Sequence, residues 1–185
     1  SDVDRVLEEL RKLVEELHRR NRKIIEDLRR ASEKTHRKNR DLLEKAKKLA
    51  DELREIAERL EDREKLREIA REILERLKKL LEDVAKTNTD ALREHEEALR
   101  RLKEENDDIK EKIKRLVDRV RERIKDKDEL RRLEEAAKKI LDDLEDSLRK
   151  LEEAVKDLKR KNKKSLDDLA EAAKDILRRL AETAR

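Results

Sequence analysis

Two Glu-x-x-His pairs are the nearest this sequence comes to a metal-binding motif. They are Glu15 with His18 and Glu33 with His36, and this spacing puts both members of a pair on one face of a helix. Di-iron carboxylate bundles need two such pairs on facing helices and two further inward Glu residues. Here both pairs lie on one predicted helix, about 27 Å apart along its axis. We therefore expect no metal and no other cofactor.

The remaining reactive residue types do not form a catalytic arrangement. The chain has no Cys, which excludes thiol catalysis, disulfides and thiolate metal sites. It has Ser and His but no Gly for an oxyanion loop, and no Asp is predicted to be buried beside a His. The sequence predicts no enzyme. Protonation of a buried His that accepts a hydrogen bond would break that bond near about pH 5–6, so a His-linked pH response is kept as an alternative.

Composition also limits the partners. Lys and Arg number 55 against 51 Asp and Glu, and the signs are interspersed as on a solvated helical surface. We expect no nucleic-acid partner, because a strong basic excess is missing. No apolar run approaches the roughly 20 residues of a membrane span, and charges throughout the first 20 residues exclude a signal-peptide core there. Neither a membrane partner nor a location is predicted.

Basic residues do concentrate at one level of the predicted bundle. Arg37, Lys38 and Arg40 lie level with residues 159–164, which contain five Lys or Arg. We interpret this belt as a solvated face, because there is no aromatic residue on which a base can stack. Weak, salt-sensitive adhesion to polyanions is the alternative.

The elements that must position these residues are long helices. A mostly apolar stripe recurs every three or four positions from Val3 to Leu60, with polar residues at Asn21, Ser32, Thr35 and Asn39. Its period of about 3.56 residues per turn lies between that of a supercoiled and that of a straight helix. The pattern is interrupted at 61–64 and 125–128, where Asp62 and Asp128 are plausible N-caps. We predict helices at about 2–60, 64–124 and 129–183, each roughly 85 Å long. The expected fold is all-α: a long antiparallel up-down-up three-helix coiled-coil bundle, formed by one monomeric domain over residues 1–185. The core should include Leu28, Leu42, Leu80, Leu102, Leu151 and Leu169.

Uncharged polar residues are rare, and most of them replace apolar residues within these stripes. The predicted buried polar network contains His18, Asn21, Ser32, Thr35, His36, Asn39, Thr87, Asn88, Thr89, His95, Asn106, Ser147, Asn162 and Ser165. An alternative places loops at Ser32, Thr87 and Ser165 and gives six shorter helices. The polar residues fall at shared heights on neighbouring antiparallel helices, which argues for three long helices. Positions at one height should add to about 124–127 on helices 1 and 2, as Asn21 with Asn106, His36 with Asn88 and Asn39 with Asn88 do. On helices 2 and 3 they should add to about 250–253, as Asn106 with Ser147 and Asn88 with Ser165 or Asn162 do.

Buried amides and hydroxyls must bond to one another, since an unpaired buried polar group costs about 1–3 kcal/mol. A shifted register would leave them unpaired, as happens with a buried Asn in a coiled coil. The charged surface, the Leu/Ile/Val/Ala core and the layered polar residues resemble de novo designed helical bundles with buried hydrogen-bond networks. This resemblance implies a structural scaffold with no natural activity and no required partner.

Two other interpretations stay open. An interaction module would dimerise or accept a partner helix through residues that widen the stripes, namely Val6, Ile25, Leu43, Leu74, Leu81, Leu141 and Leu177. A natural elongated spacer is disfavoured by the complete absence of aromatic residues, Gln, Gly, Pro and Met.

Overall fold

Three long α-helices make up the chain in the computed structural model, which describes residues 2–183. They are α1 (Asp2–Arg59), α2 (Arg63–Arg121) and α3 (Lys127–Thr183). Helix is continuous through 32–35, 87–90 and 165–168, so the six-helix alternative is wrong. No strand occurs in the described range. The predicted all-α three-helix bundle is confirmed.

Local chemistry explains the length of the helices. The sequence contains neither Gly nor Pro, the two residues that most disfavour a helix interior, and is dominated by strong helix formers. Each helix has an apolar stripe on one side and charged residues elsewhere. Because the charged residues interrupt every apolar stretch, none of the described helices could span a bilayer.

An aspartate caps the start of α2 as predicted. The Asp62 carboxylate accepts hydrogen bonds from the backbone amides of Glu64 at 3.1 Å and Lys65 at 3.5 Å. The backbone carbonyl of Asp62 accepts a hydrogen bond from the Leu66 amide at 3.1 Å. These three contacts are typical of an N-cap, whose side chain satisfies amides that have no partner within the helix.

The connection between α2 and α3 differs from the prediction. Helix α2 ends at Arg121 rather than near 124, because a tight turn in which the Arg123 amide bonds the Val120 carbonyl closes it. Helix α3 begins at Lys127, and its cap is Asp126, whose carboxylate accepts the Asp128 amide at 2.9 Å. The assignment of Asp128 as the cap is therefore wrong. Asp128 lies inside the first turn, two residues beyond the true cap.

Contacts between the helices follow the predicted directions. Asn21 contacts Asn106, and Asn39 contacts Asn88. Both pairs of residue numbers add to 127, as expected for antiparallel α1 and α2. Arg121 pairs with Glu134, and Lys110 with Glu145. Both of those pairs add to 255, a little above the expected 250–253, so α2 and α3 are also antiparallel, which gives the up-down-up order.

The helices contribute to two compact units. The first contains Ser1–Arg29 and His95–Leu158. Its core is formed by two apolar clusters with members from all three helices, including Leu10, Leu17, Ile113 and Leu133, which are fully buried. Of the predicted core residues, Leu28 and Leu102 are buried and Leu151 is half-buried.

The second unit contains Arg30–Glu94 and Lys159–Arg185. Its main apolar cluster joins α1 to α2, with Ala46, Ala50 and Leu53 on one side and Ile73 and Leu77 on the other. The predicted core residues Leu42, Leu80 and Leu169 are half-buried here. Half-burial is physically reasonable in a three-helix bundle, because positions that flank a stripe have a neighbour on one side only.

Candidate functional site

The structure puts most of the predicted polar network inside the helix stripes. Six members are buried, namely Asn21, Ser32, Asn39, His95, Asn106 and Asn162. Six more are half-buried, namely Thr35, His36, Thr87, Asn88, Ser147 and Ser165. Burial of this kind makes hydrogen-bond partners necessary, because water is not available to replace them.

Two predicted members, His18 and Thr89, are exposed, and their assignment to the buried network is wrong. Each follows an inward-facing residue, Leu17 and Asn88 respectively. One residue along a helix rotates the side chain by about 100°, which turns both out of the stripe. The Thr89 hydroxyl instead donates to the Ala85 carbonyl of its own helix at 3.0 Å.

In the first unit, an amide pair joins α1 to α2. Asn106 Nδ2 donates to Asn21 Oδ1 at 3.1 Å and to the carbonyl of Leu102 at 2.6 Å. Because both partners are acceptors, the Asn106 amide must present its nitrogen to them. Its own Oδ1 is consequently left without a hydrogen-bond partner. The pair therefore fixes an interhelical contact while leaving one acceptor unsatisfied.

In the second unit, one amide connects all three helices. Asn39 Nδ2 on α1 donates to Asn88 Oδ1 on α2 at 2.9 Å. Asn88 Nδ2 in turn donates to the Leu166 carbonyl on α3 at 3.5 Å. Since that carbonyl can only accept, Asn88 turns its nitrogen to Leu166 and its oxygen towards Asn39, and Asn39 then offers its nitrogen. The Oδ1 of Asn39 has no partner as a result.

A third group joins α1 to α3 in the second unit. Asn162 Nδ2 donates to Ser32 Oγ at 2.9 Å, and its Oδ1 lies 3.1 Å from His36 Nε2. With the amide oxygen facing the imidazole, His36 donates from Nε2. An imidazolium also carries a proton there and donates the same bond. This geometry therefore gives no support to a pH response at His36.

Several predicted members take no part in these three groups. The Thr35 hydroxyl donates to the Ala31 carbonyl within α1 at 3.0 Å. No hydrogen bond among the described residues joins Thr87, Ser147 or Ser165 to a network amide. The sequence therefore identified the inward-facing positions more successfully than it identified the bonded partners.

Sequence reasoning missed a charged contact next to the Asn21–Asn106 pair. Arg20 on α1 donates to Glu105 on α2 at 2.7 Å and to Glu16 at 2.6 Å. These hydrogen bonds, chiefly the one to Glu105, raise the pKa of the Arg20 guanidinium. Arg20 and Glu105 immediately precede the two asparagines, so the equal-height rule used for the amides would have found them.

The chemistry of metal ligation is not assembled in the described part of the chain. No group of three or more His, Asp or Glu side chains there is arranged to hold a metal ion. Of the four Glu-x-x-His residues, Glu15, His18 and Glu33 are exposed, and His36 is bonded to Asn162.

Comparison with known proteins identifies a similar fold. No protein-family model and no curated protein matches the sequence. A solved structure described as a computationally designed three helix bundle is similar over 99% of this chain and 90% of that chain. The TM-score is 0.83 and the sequence identity is 19%. The likeness shows that this chain shares the fold of that designed bundle.

Proposed function

We propose that this protein is a designed structural scaffold in which hydrogen bonds between helices specify one register. The observation that carries the proposal is the Asn39–Asn88–Leu166 connection, which links α1, α2 and α3 through one side chain. A composition without Gln, Gly, Pro, Cys, Met or aromatic residues and the similarity to a designed bundle also support it. No enzymatic activity, cofactor or obligatory partner belongs to the proposal.

The mechanism is geometric. Apolar stripes drive the helices together at roughly 25 cal/mol per Å² of buried apolar surface, but similar stripes fit one another in several registers. A shift of α2 against α1 would place Asn88 against an apolar side chain and leave its amide unpaired. The cost of about 1–3 kcal/mol per group disfavours each shifted register. The amides therefore contribute specificity more than stability.

The direct test is Asn88→Leu, with Thr89→Leu as the matched control. Both substitutions introduce Leu at adjacent positions of α2, but only Asn88 bonds across helices. The chain has no Cys, so Lys45→Cys and Lys79→Cys would provide the only spin-label sites. Both positions are exposed, on α1 and α2 of the second unit. A slip of seven residues moves one helix about 10 Å along the other.

We expect a single narrow label-to-label distance in the parent protein and in Thr89→Leu. Asn88→Leu should stay folded, because the apolar surface that Leu buries offsets part of the about 1–3 kcal/mol lost when Asn39 is left unpaired. The same substitution should broaden this distance or add a second one. If Asn88→Leu unfolds the protein, the amide is needed for stability rather than for register. If the distance stays as narrow as in the control, the amide does not specify the register.

A further inference from the structure

Positive charge is concentrated in two segments of the second unit. Residues 30–40 of α1 and 159–164 of α3 together contain ten Lys or Arg and one Glu. These 17 residues carry +9 in a chain whose net charge is +4, so the other 168 carry −5. The positive potential is therefore local to these two segments and is not evident from the small net charge of the chain. Such a potential attracts anions.

An open groove of about 670 Å³ lies within this charged region. It is lined on α1 by Glu33, His36, Arg37 and Arg40, and on α3 by Ser165 and Leu169. Arg37 and Arg40 are three residues apart and therefore share a helix face. The His36 ring is held at the groove wall by its bond from Nε2 to Asn162. The groove thus brings two guanidinium groups and a hydroxyl together beside a fixed imidazole.

These arginines differ from two arginines of the first unit that are held by carboxylates. Arg20 is paired with Glu16 and Glu105, and Arg100 with Glu97 and Glu104. In contrast, no carboxylate of the described residues forms an ion pair with Arg37 or Arg40. The Ser165 hydroxyl likewise has no hydrogen-bond partner in the described part of the chain. The groove therefore contains donors that an incoming anion can engage without breaking an existing contact.

We propose that this groove binds a compact, multiply charged phosphate-type oxyanion. Arg37 and Arg40 would each donate paired N–H bonds to its oxygens, the geometry in which guanidinium excels. Ser165 would donate one more hydrogen bond. Glu33 opposes binding, because its carboxylate lies at the same groove and repels an anion. Nucleic acid is the poorer fit, since the chain offers no aromatic residue for base stacking.

Tripolyphosphate titrated into the full chain by isothermal calorimetry at low salt tests the proposal. The main variant is Arg37→Gln/Arg40→Gln, and the matched control is Arg19→Gln/Arg22→Gln. The control removes the same charge at the same spacing from exposed positions of α1 in the first unit. Circular dichroism would verify that each variant keeps its helicity. Ser165→Ala and Glu33→Gln test the neighbouring donor and the opposing carboxylate.

We expect one tripolyphosphate per chain, with affinity that falls as salt is added. The groove double variant should lose about tenfold or more in affinity, since two charge-assisted contacts disappear, whereas the control should lose less than about twofold. Ser165→Ala should weaken binding and Glu33→Gln should strengthen it. If both double variants lose the same affinity for tripolyphosphate, binding depends on net charge alone, and the proposed site is contradicted. Absence of binding, or tighter binding of an oligothymidine than of tripolyphosphate, would also overturn it.

Discussion

At the scale of single residues, the orientation of each side-chain amide in the two α1–α2 pairs is set by a backbone carbonyl that one of the two asparagines contacts. A backbone carbonyl can only accept, so Leu102 fixes Asn106 and Leu166 fixes Asn88. The neighbouring asparagine must then complement that choice. This logic explains why the unsatisfied atoms of the two α1–α2 pairs are Asn39 Oδ1 and Asn106 Oδ1. Leaving those two acceptors unsatisfied costs free energy, and the cost is a consequence of forming the contacts between helices.

A double-mutant cycle on Asn21 and Asn106 tests whether the two amides act as a unit. Each single change to Leu should lower the free energy of unfolding by about 1–3 kcal/mol, because it leaves a buried partner unpaired. The double change should cost clearly less than the two single changes together, since no amide then remains at that contact. Urea denaturation provides the values. Simple additivity would show that the two side chains do not interact.

At the scale of elements, capping residues mark where α2 and α3 begin. Asp62 and Asp126 each accept a backbone amide through the side chain and another through the carbonyl oxygen. The described residues contain no positive φ angle, so no left-handed C-cap ends α1 or α2 there. The boundaries of α2 and α3 therefore depend on aspartate caps at their N-termini rather than on glycine.

The two aspartates of the second connection provide an internal comparison. Asp126→Ala should lower the free energy of unfolding by about 1 kcal/mol, because the first turn of α3 loses its side-chain acceptor. Asp128→Ala should cost less, since Asp128 contributes only its charge near the helix N-terminus. Thermal or urea unfolding of the two variants decides between them. A larger loss at Asp128 would restore the cap assignment made from sequence.

Periodicity was sufficient to predict the three helices and the two equal-height amide pairs. Asn21–Asn106 and Asn39–Asn88 followed from residue numbers, because a hairpin fixes which heights meet. Equal height did not predict bonding by itself, since Ser147 and Ser165 lie level with network amides on α2 and bond none of them among the described residues. The sequence did not show whether Asp126 or Asp128 caps α3, since the two aspartates carry the same carboxylate and lie only two residues apart. The outward turn of His18 and the bonding of Asn162 to Ser32 and His36 depend on side-chain rotation and packing, which residue spacing does not encode.

At the scale of the whole molecule, the described surface is charged rather than apolar. The described residues include no exposed large hydrophobic side chain. Of the residues that the interaction-module interpretation requires, Val6 is buried and Ile25, Leu43, Leu74, Leu81 and Leu141 are half-buried. The side chain of Leu177 lies outside the described residues. The apolar surface on which a partner helix would depend is thus mostly used within the chain.

We therefore expect a monomer in solution. Light scattering coupled to size exclusion should give a mass near the 22.3 kDa of one chain, independent of concentration, because the described residues expose no large hydrophobic side chain against which a second copy could pack. Addition of a peptide with the sequence of α3 should not change this mass. A stable multiple of the chain mass, or capture of the peptide, would favour the interaction module instead.

Asparagine side chains that are buried or half-buried bond between helices, and proton exchange of their amides tests this most directly. In ¹⁵N-labelled protein, the Nδ2 protons of Asn39, Asn88, Asn106 and Asn162 can be followed individually by NMR. Our account predicts that they exchange with solvent markedly more slowly than the amide of free asparagine, because each group donates within the bundle. Exchange at the rate of free asparagine at all four positions would contradict it.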